Sequence, residues 1–340
     1  MKVGFISYPM LFQRNGGLQL QLIETKNALQ NLDVDVEFIN SSTSKLSHYD
    51  IVHVFAAIHG NEQIVHEAKR QNTRVVISPL QQPSVSYWET RRARLSSRLT
   101  GSITKYHVKT TYDCVKSAIK NAHWIIAQSE KEKEAIRLLY DVKENVSVIS
   151  NGVASSYFSA SPNLFCQVYG IAEGYVLVSG AISPYKNQMA AILATRPLNC
   201  PVVLVGAAWN QAYLDDCLNV GGGRVKYVGE LPPNSDILAS CYAAASVTVL
   251  ASEGETFGLA VAESLAAGSA ALITRKTGLD IPKSLPYFDY VDASDMHGLT
   301  KSISAAQMAP KNRELCRSLV SPFSWDQVVQ EIFRTYKKIL

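Results

Sequence analysis

The sequence predicts an α/β protein built from two doubly wound domains, and three observations carry that prediction. At 340 residues the chain is too long for one ordinary hydrophobic core. Apolar runs of strand length alternate with helical patterns through both halves. The alternation breaks once, at Ser150-Asn151-Gly152-Val153, where a loop-rich stretch with Ser155, Ser156, Ser159, Ser161 and Pro162 follows. Strands separated by helices imply mostly parallel sheets with helices on both faces, and two such domains in series place a cleft at the carboxyl ends of the strands.

In the first half, Val3–Ser7 reads as a buried strand. Arg14-Asn15-Gly16-Gly17 is a turn, and Leu18, Leu22 and Leu29 mark a helix face after it. Strands follow at 34–39, 50–55, 74–78, 124–127 and 146–149, with a helix over 64–70. In the second half, strands are expected at 175–178, 201–206, 224–228, 246–250 and 270–273. Pro232-Pro233 suits the opening of a helix, since a first-turn proline loses no hydrogen bond. The last segment, from Ser324-Trp325-Asp326 to Leu340, is one amphipathic helix with Val328, Ile332 and Tyr336 four residues apart.

A composition of 47% hydrophobic and 18% charged residues is globular and excludes a disordered chain. No apolar run approaches the length of a membrane span, and the apolar stretch after Met1 is too short for a signal peptide. A cytoplasmic protein is expected. The six cysteines form no Cys-x-x-Cys pair, which argues against a zinc ribbon or redox motif and fits a reducing compartment. The net charge of +4 is uneven. Arg91, Arg92, Arg94, Arg98, Lys105, Lys109 and Lys116 face only Glu89 and Asp113 in the same stretch. Two readings stand: a solvated helical face, or a surface for anions such as a phospholipid leaflet, a lipid diphosphate or an acidic glycan. Nucleic acid is not expected, because the cluster lacks interleaved stacking residues.

Several enzyme classes lose their best sign. There is no G-x-G-x-x-G after the first strand, no phosphate loop of the G-x-x-x-x-G-K-[ST] type, no G-x-S-x-G elbow and no H-E-x-x-H. His53 and His59 stand alone and form no metal constellation.

The chemistry concentrates at Ser252-Glu253-Gly254-Glu255-Thr256-Phe257-Gly258-Leu259, which continues into the small-residue helix Ala260–Gly268 and carries Glu263. This is strand, acidic loop, helix start. A helix start offers backbone N–H groups and a positive dipole end to a phosphate. Gly258 allows close approach. Glu255 near such a start is also what ordinary capping uses. Glu263 is harder to explain away, since a carboxylate inside an apolar helix is costly without a partner.

This stretch resembles the motif of glycosyltransferase family 4, whose members carry Glu, seven residues, then Glu in the donor-binding domain. The resemblance extends along the chain. Asn151-Gly152-Val153 with Phe158 is similar to the family's interdomain segment, and Gly180 through Lys186-Asn187 to its phosphate-binding segment. Val228-Gly229-Glu230-Leu231 is similar to the strand end that borders the base, and Asn15-Gly16-Gly17 to the N-terminal glycine loop. The resemblance implies the GT-B fold: an acceptor-binding domain over 1–155, joined by the C-terminal helix at about 325–340, and a nucleotide-sugar donor-binding domain over 156–324. It implies that Glu263 binds the donor ribose, that Glu255 contacts the transferred sugar, and that the Thr256, Phe257, Gly258 and Leu259 segment holds sugar hydroxyls and diphosphate. Lys186 would neutralise the leaving diphosphate, with no metal or other cofactor expected.

It implies a retaining reaction in which a hexose moves from a nucleotide diphosphate sugar to a hydroxyl of a glycan or lipid-linked acceptor, in cell-surface polysaccharide or glycoconjugate synthesis. The site would lie in the cytoplasm, peripheral at the inner face of the membrane, with residues 91–116 against anionic lipid. Two departures stand out. The family's Arg after Gly180 is Ala181 here, with Arg196 and Arg275 as candidate substitutes. The acceptor-side His is absent from Ser78–Pro83, which leaves His59 as the candidate. A catalytically weak subunit of a transferase complex is the alternative these departures motivate. A phosphorylase or epimerase of the same architecture is the third reading, although no feature asks for a pyridoxal lysine.

Overall fold

The computed structural model describes every residue except Arg14, Asn15, His59, Ser84, Tyr106 and the side chain of Tyr87. The chain divides into two compact units, Met1–Gly152 with Trp325–Leu340, and Val153–Ser324. The first unit runs β1 (Lys2–Ile6), α1 (Gly17–Gln30), β2 (Asp35–Phe38), β3 (Ile51–Phe55), α2 (Asn61–Arg70), β4 (Arg74–Ser78), α3 (Tyr87–Thr104), α4 (Thr111–Asn121), β5 (Trp124–Ala127), α5 (Glu130–Tyr140) and β6 (Val146–Val148). The second runs α6 (Ser155–Phe158), α7 (Asn163–Tyr169), β7 (Val176–Ser179), α8 (Gln188–Thr195), β8 (Val202–Val205), α9 (Gln211–Gly221), β9 (Val225–Gly229), α10 (Asp236–Ala244), β10 (Val247–Leu250), α11 (Leu259–Ala266), β11 (Ala270–Thr274), β12 (Phe288–Val291), α12 (Met296–Met308) and α13 (Arg313–Val320). The last helix, α14 (Trp325–Ile339), belongs to the first unit.

The sheet of the first unit has the order β2-β1-β3-β4-β5-β6, and its strand pairs are parallel. β3, Ile-Val-His-Val-Phe, is buried throughout, as a central strand covered on both faces must be. Its polar member is neutralised by packing. His53 Nδ1 lies 2.6 Å from the Tyr336 hydroxyl of α14 and Nε2 lies 2.9 Å from Ser78 Oγ, and burial pushes its pKa down to about 3. His53 is therefore an uncharged core residue. Val328, Ile332 and Tyr336 of α14 join Leu22 and Leu29 of α1 over one face of this sheet, which fixes the chain's end to its beginning.

The sheet of the second unit is also parallel, with the order β12-β11-β10-β7-β8-β9. β7, β8, β10 and β11 are buried along their length, and two apolar clusters cover the faces. The chain winds β7 to β9 in one direction, then restarts at β10 on the other side of β7. The strand order reverses between β7 and β10, where doubly wound sheets open a crevice at their carboxyl edge.

Three local readings change. β12 is a sixth strand that the apolar runs do not show. Pro232-Pro233 lies in a turn before α10, whose cap is Ser235, with Oγ accepting from Leu238 N. The division falls at Gly152/Val153, before the serine-rich stretch, because packing decides it. Gly152 lies against the Trp325 indole, which the Cβ of any other residue would overlap. Next to it, Val153 N donates to Phe323 O at 2.7 Å and Val153 bridges Ser324. Outward and return crossings thus run side by side. Among the described residues no helix is long and apolar enough to cross a membrane.

Candidate active site

The site begins at the reversal point of the second sheet. β7 ends at Ser179 and the chain turns at Gly180, whose φ of 139° few side chains tolerate. Gly180 N donates to Val205 O at 2.9 Å, and Gly206 N donates to Gly229 O at 2.8 Å. A Cβ on Gly206 would overlap the Gly180 carbonyl, so the close packing of these two strand ends requires glycine. Gly180, Gly206 and the Val228-Gly229 pair therefore form a stepped, side-chain-poor rim at the carboxyl ends of β7, β8 and β9.

The turn after Gly180 is stitched to the loop after β10. Pro184–Lys186 is one turn of 3₁₀-helix, closed by Asn187 in the left-handed region. Glu253 N donates to Tyr185 O at 2.9 Å, and the Tyr185 hydroxyl donates to Gly254 O at 2.8 Å. These bonds bring together residues 69 apart in sequence: Lys186 Nζ donates to Glu255 Oε1 at 2.7 Å. The side chains keep 26% and 11% of their exposure, so the pair is shielded but reachable. Glu255 is also held from the far side. Its N–H donates to Lys276 O at 2.8 Å, and its carbonyl accepts from Gly278 N at 3.1 Å.

α11 starts immediately beyond. Its cap, Gly258, has φ of 90° and no side-chain cap bond, and a Cβ there would overlap Ile273 Cδ1. A helix start with no capping side chain leaves its first N–H groups to a ligand. The Phe257 ring points into the core against Phe323, with centroids 5.5 Å apart, and its carbonyl accepts from Thr277 Oγ1. Phe257 can therefore offer a ligand only its backbone. Ser252, at the end of β10, is 3% exposed, and its Oγ has no hydrogen-bond partner.

Glu263 lies on the second turn of α11 and is 5% exposed. Burial pushes its carboxyl up to about 7, and hydrogen bonding with the Tyr242 and Tyr157 hydroxyls pulls it partly back. The Tyr242 hydroxyl oxygen also lies 2.8 Å from Ser179 Oγ. Glu263 is thereby linked to the last residue of β7, directly before Gly180. Tyr242 and Tyr157 are partners that no spacing rule connects to Glu263.

The structure therefore gathers Gly180, Lys186, Val228, Gly229, Glu255, Thr256, Phe257, Gly258, Leu259 and Glu263 along one sheet edge. Gly16 and Gly17 belong to the other unit, where Gly16 is the extended cap of α1 and neither glycine has an atom within 4 Å of a built Cβ. Asn15 and His59 lie outside the described residues. Of the two arginines considered against Ala181, Arg196 follows α8 at the amino edge of the sheet and cannot serve. Arg275 follows β11 at the carboxyl edge, with its N–H on Val291 O. Among the described residues no group of three or more His, Cys, Asp or Glu converges to hold a metal.

Residues 175–285, which span this edge from β7 past β11, match the family model of glycosyl transferases group 1. Two curated relatives act on glycans by their names. O-antigen chain mannosyltransferase B of Escherichia coli is 24% identical over 277 residues, covering 72% of each chain. Lipopolysaccharide 1,2-N-acetylglucosaminetransferase of Salmonella typhimurium is 27% identical over 212 residues, covering 54% of each. The crystal structure of HepE from Anabaena in complex with UDP superposes with a TM-score of 0.71 at 18% identity, over 99% of this chain and 100% of that one. Over residues 175–285 the chain is therefore similar to the glycosyl transferases of group 1, and its two parallel sheets have the GT-B architecture.

Proposed function

We propose that the chain is a retaining hexosyltransferase that uses a nucleotide diphosphate sugar and a glycan or lipid-linked hydroxyl acceptor, in the synthesis of lipopolysaccharide-like or O-antigen-like polysaccharide. The observation that carries this reading is the Lys186–Glu255 pair beside the uncapped start of α11. In the free chain the two charges satisfy each other. With donor bound, the ammonium turns to the diphosphate and the carboxylate to a sugar hydroxyl. Residues 256–259 hold diphosphate and sugar through the backbone, Glu263 takes the ribose hydroxyls, and the Val228-Gly229 rim borders the base. The acceptor oxygen forms its bond to the anomeric carbon on the face from which the diphosphate departs. The bond from that carbon to the diphosphate oxygen breaks, and the acceptor proton passes to the departing phosphate oxygen. Positioning and fixed charge do the work, so no metal is required. Gly16 and Gly17, and outside the described residues Asn15 and His59, serve the acceptor side. The basic stretch 91–116 meets an anionic membrane that displays the acceptor.

The relatives support the glycan class and, by differing in the sugar they name, leave the donor to experiment. Nucleoside diphosphate release is measured over UDP-, GDP-, ADP- and dTDP-sugars, with and without EDTA. One donor is expected to turn over, and EDTA to leave the rate unchanged. Ala181 favours a second reading, a binding subunit that needs a catalytic partner. Donor binding by calorimetry without release from any donor would select it.

A further inference from the structure

α3 is turned inside out. Its inward positions are small or polar: Thr90 is 7% exposed, Gly101 is buried, and Ser97 Oγ donates to Asp113 Oδ1. Its outward face carries Trp88, Leu95, Leu99 and Ile103, which remain 66%, 58%, 55% and 81% exposed. Spacings of seven, four and four put them in one stripe, and Val108, 54% exposed, follows after the helix end. A soluble surface helix buries such a stripe. Here the inward face is the small and polar one, buried at Thr90 and Gly101 and half-buried at Ser97 and Thr100.

Cations border the stripe and one interrupts it. Arg91 and Arg98 flank it on one side, Arg92 falls within it between Trp88 and Leu95, and Lys105 and Lys109 follow. The two acids of the region are occupied as caps. Glu89 Oε2 accepts from Ser86 N at 2.6 Å, and Asp113 accepts from the Thr110 N–H and hydroxyl. Arg94 Nη2 is spent on Leu138 O at 2.7 Å and ties α3 to the end of α5. The surface left over is an apolar stripe flanked by cations and crossed by Arg92, whose long stem can carry its charge out to the headgroups.

We propose that α3 is an interfacial helix that lies in the surface of an anionic lipid leaflet, with Trp88, Leu95, Leu99 and Ile103 below the headgroups and the arginines among the phosphates. This deepens the membrane contact proposed above and rests on it: the contact is insertion of one defined face, beyond attraction to a basic stretch. A second copy of the chain fits the same face poorly. A twofold contact there sets the arginines of one copy against those of the other. α3 also departs from the carboxyl edge of β4, the edge at which a doubly wound sheet takes its ligands, so a docked α3 brings that edge to the leaflet.

The test is co-sedimentation of the full chain with vesicles of phosphatidylcholine mixed with phosphatidylglycerol and of phosphatidylcholine alone, followed by tryptophan fluorescence. Vesicle binding needs no donor, so that outcome is independent of the glycosyl-transfer reading. Binding to the mixed vesicles with a blue shift that Trp88→Phe abolishes is expected. Leu95→Ser, Leu99→Ser and Ile103→Ser together should weaken partitioning by about tenfold or more, with melting temperature unchanged. Each of Arg91→Gln and Arg98→Gln should cost about fivefold. Absence of vesicle binding overturns the proposal, as does undiminished binding by the triple serine variant. Self-association that this variant abolishes, with no lipid binding, would assign the face to a second copy instead.

Discussion

Replacing Lys186 by alanine removes the ammonium that lies 2.7 Å from Glu255 Oε1. In the proposed reaction that ammonium faces the departing diphosphate, which gains about one negative charge as its bond to the sugar breaks. A unit charge pair at about 4 Å and an effective dielectric constant of about 20 is worth about 4 kcal/mol. Spread of the new charge over the diphosphate leaves roughly half to all of this, about 2–4 kcal/mol of transition-state stabilisation. That predicts a fall in kcat of about thirtyfold to a thousandfold. KM rises less, since the bound donor already carries diphosphate charge. The assay is steady-state nucleoside diphosphate release with the donor found by screening. The variant also strands Glu255, 11% exposed, without its cation, so the melting temperature should drop by a few degrees. A purely structural lysine would give that drop alone. A kcat within about threefold of the parent, in a variant that still melts cooperatively, would refute the electrostatic assignment. Lys186→Arg, which keeps the charge, should recover part of the loss.

Gly258→Ala forces a side chain into a φ of 90° and against Ile273 Cδ1. It should cost about 1–3 kcal/mol in urea unfolding and weaken donor binding in calorimetry. Glu263→Gln tests the buried carboxyl. Its folded pKa near 7 lies above the ordinary 4.5, so the folded state holds the extra proton between those values. Glu263 should therefore lower parent stability by about 3 kcal/mol as pH rises through that window, and Glu132, which burial also pushes up to about 7, adds a similar share. The variant should keep the Glu132 share alone, so its slope should be about half the parent's, and equal slopes would count against the assignment. Glu132→Ala removes the acceptor for Gln81 N and Gln128 N, both at 2.7 Å. Faster hydrogen exchange at those two amides and a lower melting temperature are expected.

The sequence showed most where physics is local. Buried parallel strands such as Ile51–Phe55 and Val202–Val205 are apolar runs with no competing reading. Phe288-Asp289-Tyr290-Val291 was not legible, because an edge strand is half polar and this one follows a proline-rich loop. Pro232-Pro233 misled because a turn and a helix start use the same residue. At the site, the strand, acidic loop and helix start of Ser252–Glu263 could be read directly. The pairing of Lys186 with Glu255, and of Glu263 with Tyr242 and Tyr157, depends on strand order. α3 shows the same limit. Its basic character is compositional, but which face is buried is settled by what α4 and α5 present to it.

The paired crossings at Val153 and Ser324 carry a practical consequence. A segment whose first and last residues are hydrogen-bonded neighbours can be lifted out of its host without leaving loose ends. Residues 153–324, produced as a separate polypeptide or with their ends rejoined through a short linker, would on the proposed reading give a reagent for measuring sugar-nucleotide affinity free of turnover. The remaining half, closed by a linker from Gly152 to Trp325, would be the matching scaffold on which to graft the corresponding unit of a related protein.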